Sequence, residues 1–248
     1  QGIDVINLSV GEPDFFTPDH IKAAAKKAID DNFSFYSPVP GYMPLRKAIA
    51  AKLKNENGLD YKPEQIVCSN GAKQSVCNTL LCIIGPEDEV IIPAPYWVSY
   101  IEMVKLAEGK SVIIPAGLEQ NFKITPAQLE AAITPKTKAI ILCSPSNPTG
   151  SVYSKEELKG LVDVLVKYPN IIVIADEIYE HINYIGKHES IAQFPEIKER
   201  VALINGVSKG YAMTGWRLGF VAAPEWLAKA SNKLQGQYTS GPSSIAQK

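Results

Sequence analysis

From residue 66 to residue 222, short runs that are apolar at nearly every position alternate with longer helical stretches. The runs at 66–69, 89–92, 111–114, 139–143, 171–175, 201–205 and 218–222 read as strands. The stretches 72–84, 97–108, 126–132 and 155–168 between them read as helices, the last two opened by the capping side chains of Thr125 and Ser154. A strand that is apolar throughout must be covered on both faces, and helices placed between such strands supply both covers. The pattern therefore predicts an α/β fold: a mostly parallel sheet sandwiched by helices in three layers, αβα. In sheets of this kind ligands bind beyond the carboxyl ends of the strands. The residues that follow each apolar run are where chemistry is expected.

Composition narrows the function classes. The 248 residues suffice for one large domain, or one domain and a piece of another. A formal net charge of −1 gives no electrostatic case for a nucleic-acid or membrane partner. The longest apolar runs, such as 171–175, fall far short of a membrane span, and no signal peptide is visible. Cys68, Cys77, Cys82 and Cys143 show no metal-ligand spacing and read as buried free thiols of a reducing, cytoplasmic protein. The three histidines, His20, His181 and His188, form no cluster along the chain, and no metal site is expected. Gln1-Gly2-Ile3-Asp4 runs straight into a strand without an initiating Met, and Ser243-Ser244-Ile245-Ala246-Gln247-Lys248 reads as the opening of a helix. Both ends are expected to be cut points in a longer protein.

Polar candidates follow successive strands. Asn70-Gly71-Ala72-Lys73-Gln74 puts small residues at a helix start, where backbone N–H groups and the helix dipole can hold an anion; an ordinary strand-to-helix turn would look similar. Pro93-Ala94-Pro95-Tyr96-Trp97 could project Trp97 onto a flat ring, or bury it at the rim of the core. Ser144-Pro145-Ser146-Asn147-Pro148-Thr149-Gly150 holds Asn147 between two prolines, which suits a positioned amide donor as well as a plain turn. Asp176 ends the most apolar strand, where a carboxylate needs a cationic partner unless it caps a helix, and Tyr179 follows within one helical turn. Finally, Lys209 and Arg217 stand eight residues apart in a run of small residues. Alone, Lys209 reads as a solvated surface charge. Next to a cofactor, a lysine can lose its proton and attack an aldehyde, and an arginine can hold a phosphate by two prongs. Aldehyde plus phosphate describes pyridoxal phosphate.

Taken together these residues resemble a known family. The chain is similar to fold-type I pyridoxal-phosphate enzymes, specifically the class I aminotransferases. The resemblance rests on Gly11-Glu12-Pro13-Asp14-Phe15, Tyr36-Ser37-Pro38 with Gly41, Asn70-Gly71-Ala72-Lys73-Gln74, Pro95-Tyr96-Trp97, the 144–150 turn, Ala175-Asp176-Glu177-Ile178-Tyr179, and Ser208-Lys209 through Gly215-Trp216-Arg217-Leu218-Gly219, in the family's order. It implies residues 1–35 as a segment leading into the large domain and 36–248 as the large cofactor-binding domain, with the carboxyl-terminal small domain absent. It implies Lys209 as the lysine of the internal aldimine and the proton shuttle. Asp176 then pairs with the pyridine nitrogen, Tyr179 and Asn147 donate to the 3′ oxygen, and Trp97 stacks on the ring. Arg217 with Gly71, Ala72 and Lys73 clamps the phosphate, and Tyr36 reaches the phosphate of a neighbouring subunit in a homodimer. Gly11, Asn147, Trp97 and Lys73 are implied on the substrate side, Lys73 either toward a distal carboxylate or toward the phosphate alone.

The implied reaction is ping-pong transamination, with aspartate and 2-oxoglutarate favoured and prephenate or aromatic acids open. The family's arginine for the substrate α-carboxylate lies in the small domain, so residues 1–248 alone are expected to turn over little or no substrate. Two other readings remain. One is a different pyridoxal-phosphate reaction on the same scaffold, such as a carbon–sulfur lyase or a decarboxylase. The other is a non-catalytic effector domain, which would need a basic helix-turn-helix segment upstream.

Overall fold

The computed structural model describes residues 11–248; the strand expected after Gln1-Gly2-Ile3-Asp4 lies outside the described residues. The strands are β1 (Ile66–Ser69), β2 (Glu89–Ala94), β3 (Lys110–Pro115), β4 (Thr137–Cys143), β5 (Ile172–Asp176), β6 (Val201–Gly206) and β7 (Gly219–Ala222). They form one sheet in the order β1-β7-β6-β5-β4-β2-β3. All neighbours are parallel except β7, which runs antiparallel to both β1 and β6. The helices are α1 (Asp19–Asp30), α2 (Met43–Asn57), α3 (Ala72–Ile83), α4 (Ser99–Leu106), α5 (Pro126–Ala132), α6 (Lys155–Leu165) and α7 (Glu225–Tyr238).

Strand residues alternate between two separate cores. Val173 and Ala175 of β5, Val201 and Leu203 of β6, and Ile140 and Leu142 of β4 face one core, with Leu53 of α2, Leu129 of α5 and Leu158, Leu161 and Leu165 of α6. Ile172 and Ile174, Ala202 and Ile204, and Ala139 and Ile141 face the other, with Val76 and Leu80 of α3, Tyr100 and Val104 of α4 and Leu227 of α7. A period of two on a sheet buried on both sides is why these strands are apolar throughout. Each fully buried Leu, Ile or Val adds about 1.5–3 kcal/mol over leaving it in water. The two expected caps are present: Thr125 and Ser154 accept from Gln128 N and Glu157 N, and Gln128 and Glu157 answer with reciprocal capping boxes.

Three findings depart from the sequence reading. Helices α1, α2 and α7 fall where none is read, because few of their residues are buried: Ala28 in α1, Leu53 in α2, and a stripe in α7 that is half polar, Leu227, Ala228, Ser231 and Gln235. The chain's last residues form a hydrogen-bonded turn instead of the expected helix opening. Gln247 is buried there, its side chain accepting from Tyr42 N and donating to Pro242 O. The four cysteines are free, but only Cys68 is fully buried; Cys77, Cys82 and Cys143 are partly so.

Candidate active site

The carboxyl ends of β1, β2, β4, β5 and β6 share one edge of the sheet, and antiparallel β7 begins at that same edge. The sheet thus gathers residues 70–73, 95–97, 144–147, 176–179, 207–209 and 217, which are far apart in the chain.

Asp176 closes β5 and is only 4 % exposed. Its Oδ2 accepts from Tyr100 Oη at 2.7 Å and its Oδ1 from Ile178 N at 3.3 Å. Burial pushes its carboxyl up to about 6, against the pull of these hydrogen bonds. Among the described residues no cation acts on it. The turn after it carries Tyr179, whose hydroxyl accepts from Asn147 Nδ2 at 3.0 Å. Residues 178–180 form a turn and no helix, closed by Glu180 N to Glu177 O at 3.0 Å. Asn147 therefore comes to Tyr179 from the end of β4, and the Ser144–Pro145 and Asn147–Pro148 bonds that flank it are both cis.

Lys209 follows β6, half-buried, its Nζ 5.6 Å from the centre of the Tyr179 ring and hydrogen-bonded to the Gly11 carbonyl. Burial lowers its pKa; Arg217 lowers it further, and Glu12 opposes both. This is the direction that frees a lysine for nucleophilic and proton-transfer work.

Arg217, with φ of 55°, donates to Thr214 O at 2.7 Å and to Asn70 O at 3.2 Å. Its guanidinium lies against Gly71, whose φ of +84° and missing side chain both matter: a Cβ there would meet Arg217. Among the described residues no side chain caps the amino end of α3, which starts at Ala72. Gly219 lets β7 approach that end so closely that a Cβ would strike the Ala72 backbone. An open helix start beside an arginine is an anion seat. Lys73 is exposed there and lies 4.7 Å over the Trp97 ring, which meets Tyr100 edge-on at 5.4 Å. The edge thus offers an anion seat, a flat aromatic face, a buried carboxylate short of a cation, and a lysine with a lowered pKa.

The sequence-derived residues Gly71, Ala72, Lys73, Trp97, Asn147, Asp176, Tyr179, Lys209 and Arg217 all stand at this edge, and Gly11 joins them through Lys209. Tyr36 is 96 % exposed and makes no hydrogen bond to the other described residues. Other side chains here have no role in the sequence reading. Tyr100 is an apparent core residue of α4 whose hydroxyl is needed by Asp176. Thr214 and Thr17 tie the lysine loop to the 11–17 segment, donating to Glu12 Oε1 at 3.1 Å and to Ala212 O at 2.6 Å. Two of the histidines each meet a buried glutamate: His188 Nε2 lies 2.9 Å from Glu177 and His181 Nε2 lies 3.0 Å from Glu180.

The sequence matches the family described as Aminotransferase class I and II over residues 3–248. The chain belongs to this family. It is 50% identical over its whole length to a bifunctional aspartate aminotransferase and glutamate/aspartate-prephenate aminotransferase of Petunia hybrida, covering 52% of that protein. A probable aspartate/prephenate aminotransferase of Rhizobium leguminosarum is 53% identical, with 62% of its length covered. The chain thus spans about half to two thirds of the curated relatives it matches. Among solved structures, the aspartate aminotransferase of Thermus thermophilus with maleate superposes at a TM-score of 0.95 with 42% identity, over 99% of this chain and 64% of that one. An aromatic aminotransferase of Pyrococcus horikoshii superposes at 0.95 with 44% identity, over 98% of this chain and 65% of that one. The mostly parallel three-layer sheet is the fold these aminotransferases share.

Proposed function

We propose that the intact protein is a pyridoxal-phosphate-dependent aminotransferase that passes an amino group from L-aspartate to 2-oxoglutarate in two half-reactions. The observation that carries this is the pairing, at one sheet edge, of a buried carboxylate that no cation among the described residues neutralises and a lysine of lowered pKa whose Nζ lies 5.6 Å from the centre of the Tyr179 ring.

The site's residues fit the cofactor feature by feature. Asp176 lacks the positive charge that a protonated pyridine nitrogen carries. The Gly71 turn, the uncapped start of α3 and Arg217 suit a phosphate, and Trp97 offers a ring face. Bound pyridoxal phosphate supplies an aldehyde that condenses with amines and a protonated ring that takes up the electron pair released when the substrate Cα–H bond breaks. The residues do the rest. Asp176 keeps the ring nitrogen protonated, and Tyr100 holds Asp176 in place. Asn147 and Tyr179 donate to the ring oxygen. Lys209 would hold the cofactor through its amine, and its Nζ, once free, would take the substrate's α-proton and give it back. Lowering its pKa keeps a neutral fraction available for both steps. Lys73, exposed at the rim over Trp97, is placed to meet a distal substrate carboxylate.

Residues 36–248 act on this reading as the large domain, and Tyr36 reaches toward the phosphate of a second copy in a homodimer. The four free thiols suit a reducing cytoplasm. A second acceptor, prephenate, is favoured by the names of the relatives. The test is a spectrum of the intact protein with pyridoxal phosphate. A visible band is expected, lost in Lys209→Ala and bleached by L-aspartate, with 2-oxoglutarate and then prephenate assayed for its return. No visible band in the unmutated protein overturns the proposal.

A further inference from the structure

The loop that carries Lys209 is held on one side by the 11–17 segment, through Thr214 to Glu12, Thr17 to Ala212 and Lys209 to the Gly11 carbonyl. Within the loop, Ala212 N donates to Lys209 O at 3.3 Å and Met213 N to Ser208 O at 3.0 Å. On another side an open pocket of about 300 Å³ is walled by Leu45 and Ile49 of α2, by Tyr211 and Met213, and by Gln247 and Lys248.

One side chain braces the loop immediately after Lys209. His181 stands so close to Gly210 that a Cβ on Gly210 would be 2.7 Å from His181 Cδ2. The same ring meets Tyr211 edge-on with centroids 5.9 Å apart. His181 is itself held. Its Nε2 lies 3.0 Å from Glu180 Oε1, and Glu180, nearly fully buried, is paired with Lys52 of α2 and accepts from Asn57 Nδ2 at 3.1 Å. Lys52 also lies 3.5 Å from Glu56. A rigid helix, a buried ion pair and an imidazole thus form a strut that ends on the two residues after Lys209. The charged groups facing the ring are Glu180 on its own segment and Lys52 and Glu56 on α2; His188 bears on it more distantly.

Resting on the function proposed above, we infer that His181, braced by Glu180 and Lys52, is a positioning residue that sets where the Lys209 amine stands at the cofactor. It touches neither substrate nor cofactor; it acts through Gly210 and Tyr211. The contact of the strut with Gly210 and Tyr211 fixes the backbone that directly follows Lys209. Misplacing an amine by a fraction of an ångström changes both its reactivity and its proton affinity.

The experiment uses the intact protein loaded with pyridoxal phosphate. It reads the pH midpoint at which the visible band shifts, the cofactor affinity, and the melting temperature without cofactor. His181→Ala should move the midpoint by about half a pH unit or more and weaken cofactor binding roughly three- to tenfold. His181→Gln, which can still donate to Glu180, should restore most of both. Gly210→Ala should move the midpoint as well, because its methyl collides with the ring. Adding His181→Ala to Gly210→Ala should then bring the midpoint back toward the parent, a coupling that a merely structural role would not produce. The inference is overturned if His181→Ala leaves midpoint and affinity unchanged, or if the two substitutions simply add. Should His181→Ala fail to fold, His181→Gln and Gly210→Ala decide the question by the same readouts. A parent protein with no visible band sinks the aminotransferase reading itself, whereas a normal band that ignores His181 sinks only the strut.

Discussion

Asp176 shows how one residue can be legible while its support is not. A carboxylate closing a run of apolar residues has few reasons to be there, and the sequence alone points to a cation. Tyr100, which donates to it, sits inside α4 with the pattern of a core residue, and only the placement of α4 against the end of β5 reveals its job. The titration of Asp176 can be checked without the cofactor. Its carboxyl stands at about 6 in the fold against an ordinary 3.8. Between those values the folded chain binds a proton that the unfolded chain releases, so stability falls as pH rises through about 4 to 6. Above that window the loss is complete and on the order of 3 kcal/mol. Asp176→Asn cannot ionise and still accepts from Tyr100. Denaturant unfolding of the cofactor-free proteins at about pH 4.5 and about pH 7.5 should show the variant gaining on the parent as pH rises. A constant difference between the two proteins across that window would rule out Asp176 as the titrating group. With pyridoxal phosphate bound the order should reverse at neutral pH, since the parent alone then has an ion pair.

Among elements, the strands and the capped helices were readable because they obey simple periods; α1, α2 and α7 were not, because the surfaces they bury are few and partly polar. The reversed direction of β7 had a signal that is easy to overlook. Parallel neighbours need a crossover, usually helical, and the stretch from 207 to 218 holds no α-helix, only a single 3-10 turn at Thr214–Trp216. That loop instead places Lys209 and Arg217 at the same edge. Two substitutions separate an element that shapes the site from one that only stabilises the fold. Gly219→Ala drives a methyl into the backbone at the start of α3, which cannot rotate away; a loss of about 1–3 kcal/mol and a marked drop in phosphate and cofactor affinity are expected. Ser154→Ala removes a cap from α6 on the far side of the sheet and should cost about 1 kcal/mol with cofactor affinity untouched. Thermal melts paired with cofactor titrations measure both. Equal affinity losses in the two variants would mean that the close approach at Gly219 does not shape the anion seat.

For the whole molecule, the site's one outlying residue carries the argument. Tyr36 is 96 % exposed, beside Phe35 at 81 %, while every other candidate residue stands at the sheet edge. Its neighbours are nonetheless firmly held: Gln247 donates to Ser37 Oγ at 3.0 Å and Gln235 to Val39 O at 2.9 Å. A fixed loop presenting a bare aromatic outward suits the contact with a second copy proposed above. If Tyr36 serves the partner's site, Tyr36→Phe removes one hydrogen bond to a charged phosphate and should weaken cofactor binding roughly ten- to a hundredfold with the dimer intact. A mixture of Lys209→Ala and Tyr36→Phe subunits then discriminates. In the hybrid, one site combines the unmutated Lys209 of the Tyr36→Phe chain with the unmutated Tyr36 of the other chain, and should bind cofactor and turn over L-aspartate like the parent. If Tyr36 acted within its own chain, that hybrid would hold no intact site and mixing would recover nothing. Activity recovered on co-refolding, at parental cofactor affinity, is the expected result.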